Sequence, residues 1–186
     1  MIAMDGTNWF SSFTIDKGSK EGIKKGMNVI AGSGLVGIVT DVGPNFAKVR
    51  SIIDDSSNVS SMVLTTKDNF NVGGSLKSMN QDKVLPYTEL RDEDDKVKVG
   101  DPVVTSYVSD QYQEGILIGY IASIEKNANN LTKSGTITPV VDFQHLREVL
   151  VITTLKDTGE KELSSQKASD TQTETQDNTE TQKSQE

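Results

Sequence analysis

Short runs of β-branched and other apolar residues, each interrupted after a few positions, constrain the fold of this chain most strongly. Glycine, proline or clusters of Asn, Asp and Ser bound nearly all of these runs, which is typical of strands separated by turns. Such runs fall at residues 13–15, 28–30, 35–42, 48–53, 59–64, 103–105, 116–124, 137–141 and 149–152. Because no stretch of helical periodicity exceeds about ten residues, the pattern predicts an all-β protein.

The sequence also contains an internal repeat. KKGMNVIAGSGLVGIVTDV at residues 24–42 aligns with KVGDPVV at 98–104 followed, after a longer loop, by GILIGYIASI at 115–124. The alignment makes Gly26 equivalent to Gly100 and Gly37 equivalent to Gly119, and it predicts structural roles for all four glycines.

The repeat predicts two related β units that follow each other. A unit of roughly 75 residues is marginally stable alone, and closing its sheet into a barrel removes exposed edges. We therefore expect two small packed β-barrel domains, at residues 1–85 and 86–156, between which strands can be exchanged.

The C-terminal part differs in composition from the rest of the chain. From residue 157 onward Leu163 and Ala168 are the only apolar residues, so the segment cannot offset the entropy cost of ordering. We expect residues 157–186 to form a disordered, acidic and polar tail. The tail carries −5 of the net charge of −8. The folded part is therefore nearly neutral, which argues against nucleic-acid binding, for which a basic face is expected.

The sequence predicts neither a cofactor nor a metal site. The absence of cysteine excludes disulfides and thiolate ligands. Asp54 and Asp55 could offer oxygen ligands to calcium, but their surroundings lack the alternating order of a calcium loop. A turn at the end of a strand is the favoured interpretation. The longest apolar stretch, residues 115–124, is too short to span a bilayer.

Four segments together resemble one known family. They are NWFSSFTIDKGSKEGIKKGMNVIAGSGLVGIVTDVGPNFAKVRSIIDDSSNVS, KVKVGDPVVTS, EGILIGYIASIEK and VVDFQHLREVLVI. In this order they closely resemble the extracytoplasmic domain of the MreC family of rod shape-determining proteins, over residues 1–155. The resemblance implies two β-barrel domains on the outer side of a bacterial cell membrane. It also implies an N-terminal transmembrane helix and a coiled coil, both of which would precede residue 1.

The resemblance further implies a function without catalysis. Proteins of this family are scaffolds of the cell-elongation machinery, the elongasome, which directs peptidoglycan synthesis. They self-associate as dimers or filaments, and they connect class B penicillin-binding proteins with membrane proteins of the MreD and RodA type. We therefore expect a membrane-anchored scaffold at the extracytoplasmic face of the cell membrane, with no enzyme activity and no cofactor.

Two tyrosines are the candidate partner-binding residues. Tyr107 and Tyr112 lie in YVSDQYQE, the loop that is longer in the second copy of the repeat. This loop departs from the glycine-rich loop that is common in the resembling family. Aromatic residues on a loop held by a rigid β scaffold are typical anchors of protein interfaces.

The segment near the end of the second unit supplies the remaining candidates. Asp142 is expected to cap a single helical turn at residues 142–147, in which Phe143 and Leu146 are structural. Asp142 and His145 would also suit a hydrolase triad. However, His145 is the only histidine, and the sequence has no Gly-x-Ser-x-Gly elbow, so a surface or capping role is favoured.

Two other classes of protein compete with the scaffold interpretation. Paired small β-barrels also describe chymotrypsin-like hydrolases, but that chemistry needs a histidine, an aspartate and a serine in convergent positions. A glycan-binding module would need an aromatic platform, and aromatic residues make up only 5% of the chain.

Overall fold

The computed structural model describes residues 10–92, 94–127 and 131–156, together with the strand Ala3–Met4. The strands are β1 Ala3–Met4, β2 Ser12–Ile15, β3 Asn28–Ala31, β4 Gly34–Val42, β5 Ala47–Ser51, β6 Asn58–Val63, β7 Asn69–Gly73, β8 Leu85–Leu90, β9 Pro102–Thr105, β10 Leu117–Lys126, β11 Lys133–Pro139 and β12 Leu150–Ile152. One α-helix, α1, spans Leu76–Asp82, and a 3₁₀ turn spans Ser19–Glu21. The prediction of an all-β fold is therefore confirmed. The predicted disordered tail, residues 157–186, lies outside the described residues.

Six strands form a closed barrel. β6 pairs with β7, β7 with β8, β8 with β11, β11 with β10, β10 with β9, and β9 again with β6, all antiparallel. Side chains alternate between the interior and the outer wall. In β7, for example, Phe70 and Val72 are buried, whereas Asn69, Asn71 and Gly73 are half-buried. Because the ladder closes, these strands hide the edges that an isolated sheet would expose.

The other strands form a second ladder, which we call the open sheet. Its order is β12, β3, β4, β5, β2 and β1, all antiparallel. Among the described residues, β12 pairs with β3 alone, so the sheet does not close between β12 and β2. A parallel bridge between Leu117 and Gly34 connects β10 of the closed barrel to β4 of the open sheet.

The closed barrel takes its strands from both sides of the predicted boundary between residues 85 and 86. β6 and β7 precede that boundary, yet β7 pairs with β8, which spans it, and β6 pairs with β9, which follows it. β12, near the end of the described chain, pairs with β3 of the open sheet. One continuous cluster of buried apolar side chains contains residues of both ladders, among them Val29, Val49, Val72 and Ile137. The two ladders therefore share a core.

The two copies of the repeat have the same local structure. The N–H of Gly26 donates to the carbonyl oxygen of Val39 at 2.9 Å, and the N–H of Gly100 donates to that of Ile121 at 2.8 Å. The φ angles are +88° at Gly26 and +93° at Gly100. Both glycines therefore end a turn in a left-handed conformation that L-residues rarely adopt.

Valine in place of Gly26 or Gly100 is expected to lower the free energy of unfolding by about 1–2 kcal/mol, because a left-handed backbone costs an L-residue that amount. Urea denaturation of each variant measures the loss. Asparagine at the same positions is the control, since its short polar side chain tolerates this conformation better. Unchanged unfolding midpoints in both valine variants would contradict the assigned role.

Helix α1 was not predicted from the sequence. Its N-cap is Ser75, whose Oγ accepts a hydrogen bond from the N–H of Ser78 at 3.2 Å. Asp55 Oδ1 accepts the N–H of Leu76 at 2.9 Å, and Asp54 Oδ1 accepts the N–H of Ser56 at 2.9 Å. The two adjacent aspartates thus stabilise a turn and a helix start. None of the helices in the described ranges is long and apolar enough to cross a membrane.

The segment expected to form a helical turn at residues 142–147 forms a non-helical turn instead. Asp142 does cap this turn, because its Oδ1 accepts the N–H of Gln144 at 3.0 Å. Phe143 and Leu146 are buried and belong to the shared core. Both side chains reach the core although the segment between them is a turn and not a regular helix.

Candidate partner-binding surface

The loop of residues 107–114 folds against the open sheet; we call it the joint loop. Asn28 Nδ2 donates to the carbonyl oxygen of Gln111 at 2.9 Å, and Asn28 Oδ1 accepts the N–H of Gln113 at 2.8 Å. The side-chain amide of Gln113 donates to the carbonyl oxygen of Thr154. Asn28 is only 2% exposed. The loop therefore connects the closed barrel to β3 and to the segment after β12.

Hydrogen bonds within the joint loop hold its shape. Ser109 Oγ accepts the N–H of Tyr112 at 3.0 Å and the N–H of Gln111 at 3.3 Å. At the base of the loop, Thr105 Oγ1 accepts the N–H of Ile116 at 2.8 Å. A loop with this many internal bonds has little ordering entropy left to lose when a partner binds.

The two candidate tyrosines lie in different environments. Tyr112 is 3% exposed and belongs to the shared core. Burial raises the pKa of its hydroxyl to about 12, although the nearby charge of Arg50 acts in the opposite direction. The expectation that Tyr112 contacts a partner is therefore corrected: the ring is buried in the core that the two ladders share. Sequence alone does not distinguish an aromatic residue that a loop buries from one that it displays.

Tyr107 does lie on the surface. Its side chain is 54% exposed, and the adjacent Val108 is similarly exposed. The carbonyl oxygen of Tyr107 accepts a hydrogen bond from Lys156 Nζ at 3.0 Å, which holds the backbone of the loop beside the end of the open sheet. Val108 borders a groove of about 700 Å³ on the closed barrel. The groove is lined mainly by polar side chains: Ser60, Lys67, Asp68, Asn69, Asn71, Glu89, Arg91 and Thr132.

A second exposed apolar patch, which the sequence did not reveal, lies on the outer wall of the closed barrel. Tyr120 in β10 pairs with Pro102 in β9, and the N–H of Leu64 donates to the carbonyl oxygen of Pro102 at 2.9 Å. Tyr120 and Leu64 are both exposed. We call these three residues the outer patch. One sequence feature could have indicated the outward direction of Tyr120. It directly precedes Ile121, which is buried, and neighbouring side chains of a strand point to opposite faces.

The pair formed by Asp142 and His145 does not resemble a catalytic centre. Asp142 Oδ2 and His145 Nδ1 are 2.8 Å apart, but the two side chains are 64% and 74% exposed. The hydrogen bond from His145 lowers the pKa of Asp142, and the N–H of Gln144 lowers it further. No hydroxyl group within the described ranges hydrogen-bonds to His145, and none of those residues form a group of acidic or histidine side chains that could hold a metal ion.

Comparison with known proteins identifies the family. The family described as "Rod shape-determining protein MreC, barrel core" matches residues 1–153. The cell shape-determining protein MreC of Listeria monocytogenes is 34% identical over 157 residues, which are 82% of this chain and 51% of that protein. The chain therefore spans about half the length of this relative.

Solved structures agree with this match. An MreC structure from Listeria monocytogenes superposes with a TM-score of 0.70 at 34% identity. The match covers 81% of this chain and 71% of the chain in that structure. A second structure is described as a complex between Penicillin-Binding Protein (PBP2) and MreC from Helicobacter pylori. It superposes with a TM-score of 0.60 at 16% identity, over 81% of this chain and 92% of that chain, and so shares the fold. The chain belongs to the MreC family of rod shape-determining proteins.

Proposed function

We propose that this protein is a non-enzymatic scaffold of the bacterial cell-elongation machinery that organises peptidoglycan synthases through protein contacts. Its place would be the extracytoplasmic face of the cell membrane, where an N-terminal transmembrane helix outside this sequence would anchor it. The observation that carries the proposal is the shared fold with an MreC that was solved in complex with a penicillin-binding protein.

The surface of the described chain supports binding rather than catalysis. The only histidine is on an exposed turn, whereas Tyr107, Val108 and the outer patch expose apolar side chains on the closed barrel. Exposed aromatic and apolar side chains on a rigid scaffold are the usual anchors of protein interfaces. A class B penicillin-binding protein is the proposed partner of this surface. Self-association and contacts with membrane proteins of the MreD and RodA type complete the proposed set.

Replacing Tyr107 with alanine is expected to weaken binding of a class B penicillin-binding protein ectodomain from the same bacterium at least about thirtyfold. The reason is that truncation of an aromatic interface anchor typically costs about 2 kcal/mol or more. Biolayer interferometry on the purified proteins measures the dissociation constant. The thermal midpoint should stay unchanged, because the Tyr107 side chain is more than half exposed.

Phe46→Ala is the matched control for this experiment. Phe46 is a partly exposed aromatic residue on the turn between β4 and β5 of the open sheet, and its loss should leave the dissociation constant unchanged. Binding by Tyr107→Ala that is as tight as binding by the parent would remove the joint loop from the interface. Failure of the parent to bind any class B ectodomain of its own bacterium would contradict the proposed function itself.

A further inference from the structure

Asn28 in β3 of the open sheet holds a loop that belongs to the closed barrel. Side chains alternate along a strand, and Val29 belongs to the shared core, so Asn28 points to the opposite face of the open sheet. The repeat makes Asn28 equivalent to Pro102 of the outer patch. The same outward position is therefore a half-buried proline in the closed barrel, whereas in the open sheet it is a buried amide in contact with the joint loop.

Both polar atoms of the Asn28 amide are bonded to the main chain of the joint loop. Nδ2 donates to the carbonyl oxygen of Gln111, and Oδ1 accepts the N–H of Gln113. On the other side, Thr105 Oγ1 at the end of β9 donates to the carbonyl oxygen of Gln113. The main chain of Gln113 is therefore bonded to the open sheet through its N–H and to the closed barrel through its carbonyl group.

A short series of hydrogen bonds continues from Gln111 to the exposed Tyr107. Ser109 Oγ accepts the N–H of Gln111, and the N–H of Ser109 donates to the carbonyl oxygen of Ser106 at 3.3 Å. Ser106 directly precedes Tyr107, and its Oγ accepts the N–H of Val108 at 3.2 Å. The residues on both sides of Tyr107 thus belong to one hydrogen-bond network, which reaches the open sheet at its far end.

We propose that Asn28 is a positioning residue of the partner-binding surface: it holds the joint loop in the shape that displays Tyr107 to a penicillin-binding protein. The role of Tyr107 rests on the proposed function above, whereas the role of Asn28 rests on its hydrogen bonds. A loop that is already held in its bound shape loses less conformational entropy on association than a loop that has to be ordered first. The open sheet therefore contributes to the affinity of a surface that lies on the closed barrel.

Asn28→Ala is expected to weaken binding of the class B penicillin-binding protein ectodomain at least about tenfold, because it removes both hydrogen bonds that order the loop. Biolayer interferometry measures the dissociation constant at a temperature at which circular dichroism shows each variant to be folded. Hydrogen exchange on the free protein measures the protection of the Gln113 amide, which donates to Asn28 Oδ1 in the parent. This protection should be lost in Asn28→Ala, because the amide no longer has its acceptor.

Val29→Ala is the matched control for a general loss of stability. Val29 is the next residue of β3, and it is fully buried in the shared core on the face opposite to Asn28. Its truncation leaves a cavity and should lower the unfolding midpoint. The affinity for the ectodomain and the protection of the Gln113 amide should nevertheless equal those of the parent, because the hydrogen bonds of Asn28 to the joint loop remain.

A double-mutant cycle tests whether Asn28 acts through Tyr107. Effects of residues that act through one contact are not additive, whereas effects of independent residues add. Asn28→Ala should therefore have little further effect on the dissociation constant when Tyr107→Ala is already present. Ser109→Ala interrupts the hydrogen bonds between Gln111 and Tyr107 without changing the open sheet, and it should weaken binding as Asn28→Ala does.

Three results would overturn the positioning role and leave the proposed function intact. The first is binding by Asn28→Ala as tight as that of the parent, and the second is simple addition of the effects of Asn28→Ala and Tyr107→Ala. The third is an equal loss of affinity in Val29→Ala, because the effect then follows general stability. If Asn28→Ala does not fold, Ser109→Ala decides, and parental affinity in that variant overturns the role. A parent that does not bind the ectodomain overturns both proposals.

Discussion

Replacing Lys133 with methionine is expected to lower the free energy of unfolding by about 3–5 kcal/mol, the cost of leaving a buried charge without its partner. Lys133 Nζ lies 2.6 Å from Asp92 Oδ2, and the two side chains are only 10% and 1% exposed. Asp92 also accepts the N–H groups of Lys96 and Val97, at 2.8 Å and 3.1 Å. The pair therefore connects the segment after β8 to the start of β11. Urea denaturation at neutral pH measures the loss of unfolding free energy in the variant.

Lys126→Met is the matched control, because Lys126 pairs with Asp95 at 3.2 Å on the surface, where both side chains are mostly exposed. An exposed pair contributes about 0.2–1 kcal/mol, so this variant should be nearly as stable as the parent. Combining Lys133→Met with Asp92→Asn should recover part of the loss, because the second change removes the uncompensated charge. Equal stability of Lys133→Met and Lys126→Met would contradict a structural role for the buried pair.

The pH dependence of stability should follow the same pair. Burial alone would raise the pKa of Asp92, but hydrogen bonds from Lys133 and from two main-chain N–H groups outweigh it and lower the pKa. A lowered pKa stabilises the folded state above the unfolded value of about 3.9, and this contribution disappears as the pH falls through the folded pKa. Asp92→Asn should therefore lose less stability than the parent between pH 5 and acid conditions of about pH 2.

Alanine in place of Gly37 or Gly119 is expected to destabilise the protein by about 3 kcal/mol or more, because the added methyl group has no space. A Cβ at Gly37 would lie 2.0 Å from the carbonyl oxygen of Arg50, and one at Gly119 would lie 2.1 Å from that of Thr138. Both obstacles are backbone atoms of the neighbouring strand, which cannot move without breaking the ladder. Each glycine thus lets two strands approach closely beside a β-bulge.

Gly73→Ala is the control for these two variants. Gly73 also lies in a strand, but the nearest atom to its Cβ would be 3.9 Å away and its φ angle is not positive. Alanine there should leave the unfolding midpoint unchanged or raise it slightly, since it reduces the entropy of the unfolded chain. Comparable losses for all three alanine variants would show that the effect at Gly37 and Gly119 is not steric.

Several strands were predictable because their side chains alternate and are β-branched, as in β4, β5 and β10. β7 and β8 were missed for identifiable reasons. In NFNVG, at residues 69–73, two asparagines and a glycine leave only two apolar side chains, and β8 contains Pro86, which lowers the strand propensity of its run. Both strands form because their few apolar side chains, Phe70, Val72 and Tyr87, are buried in the closed barrel.

The candidate partner-binding surface was predictable only in part, because the burial of its residues depends on segments far away in the sequence. The longer loop between β9 and β10 was visible in the sequence as an insertion relative to the first copy of the repeat. The burial of Tyr112 depends on Asn28, which precedes it by more than 80 residues and holds the loop against the open sheet. No local pattern encodes which of two tyrosines in a loop meets a distant strand.

The sequence by itself determined the local backbone: the alternation that makes strands, and the glycines that permit left-handed turns and close strand contacts in both copies of the repeat. The family resemblance was also visible there. Only the tertiary structure decided which strands pair across the middle of the chain, and that Asp92 and Lys133 meet in a buried pair. It also decided that, among the described residues, six strands close into a barrel whereas the open sheet does not close. Local conformation depends on steric preferences of neighbouring residues, whereas strand order and burial depend on free energies of contacts between segments far apart in sequence.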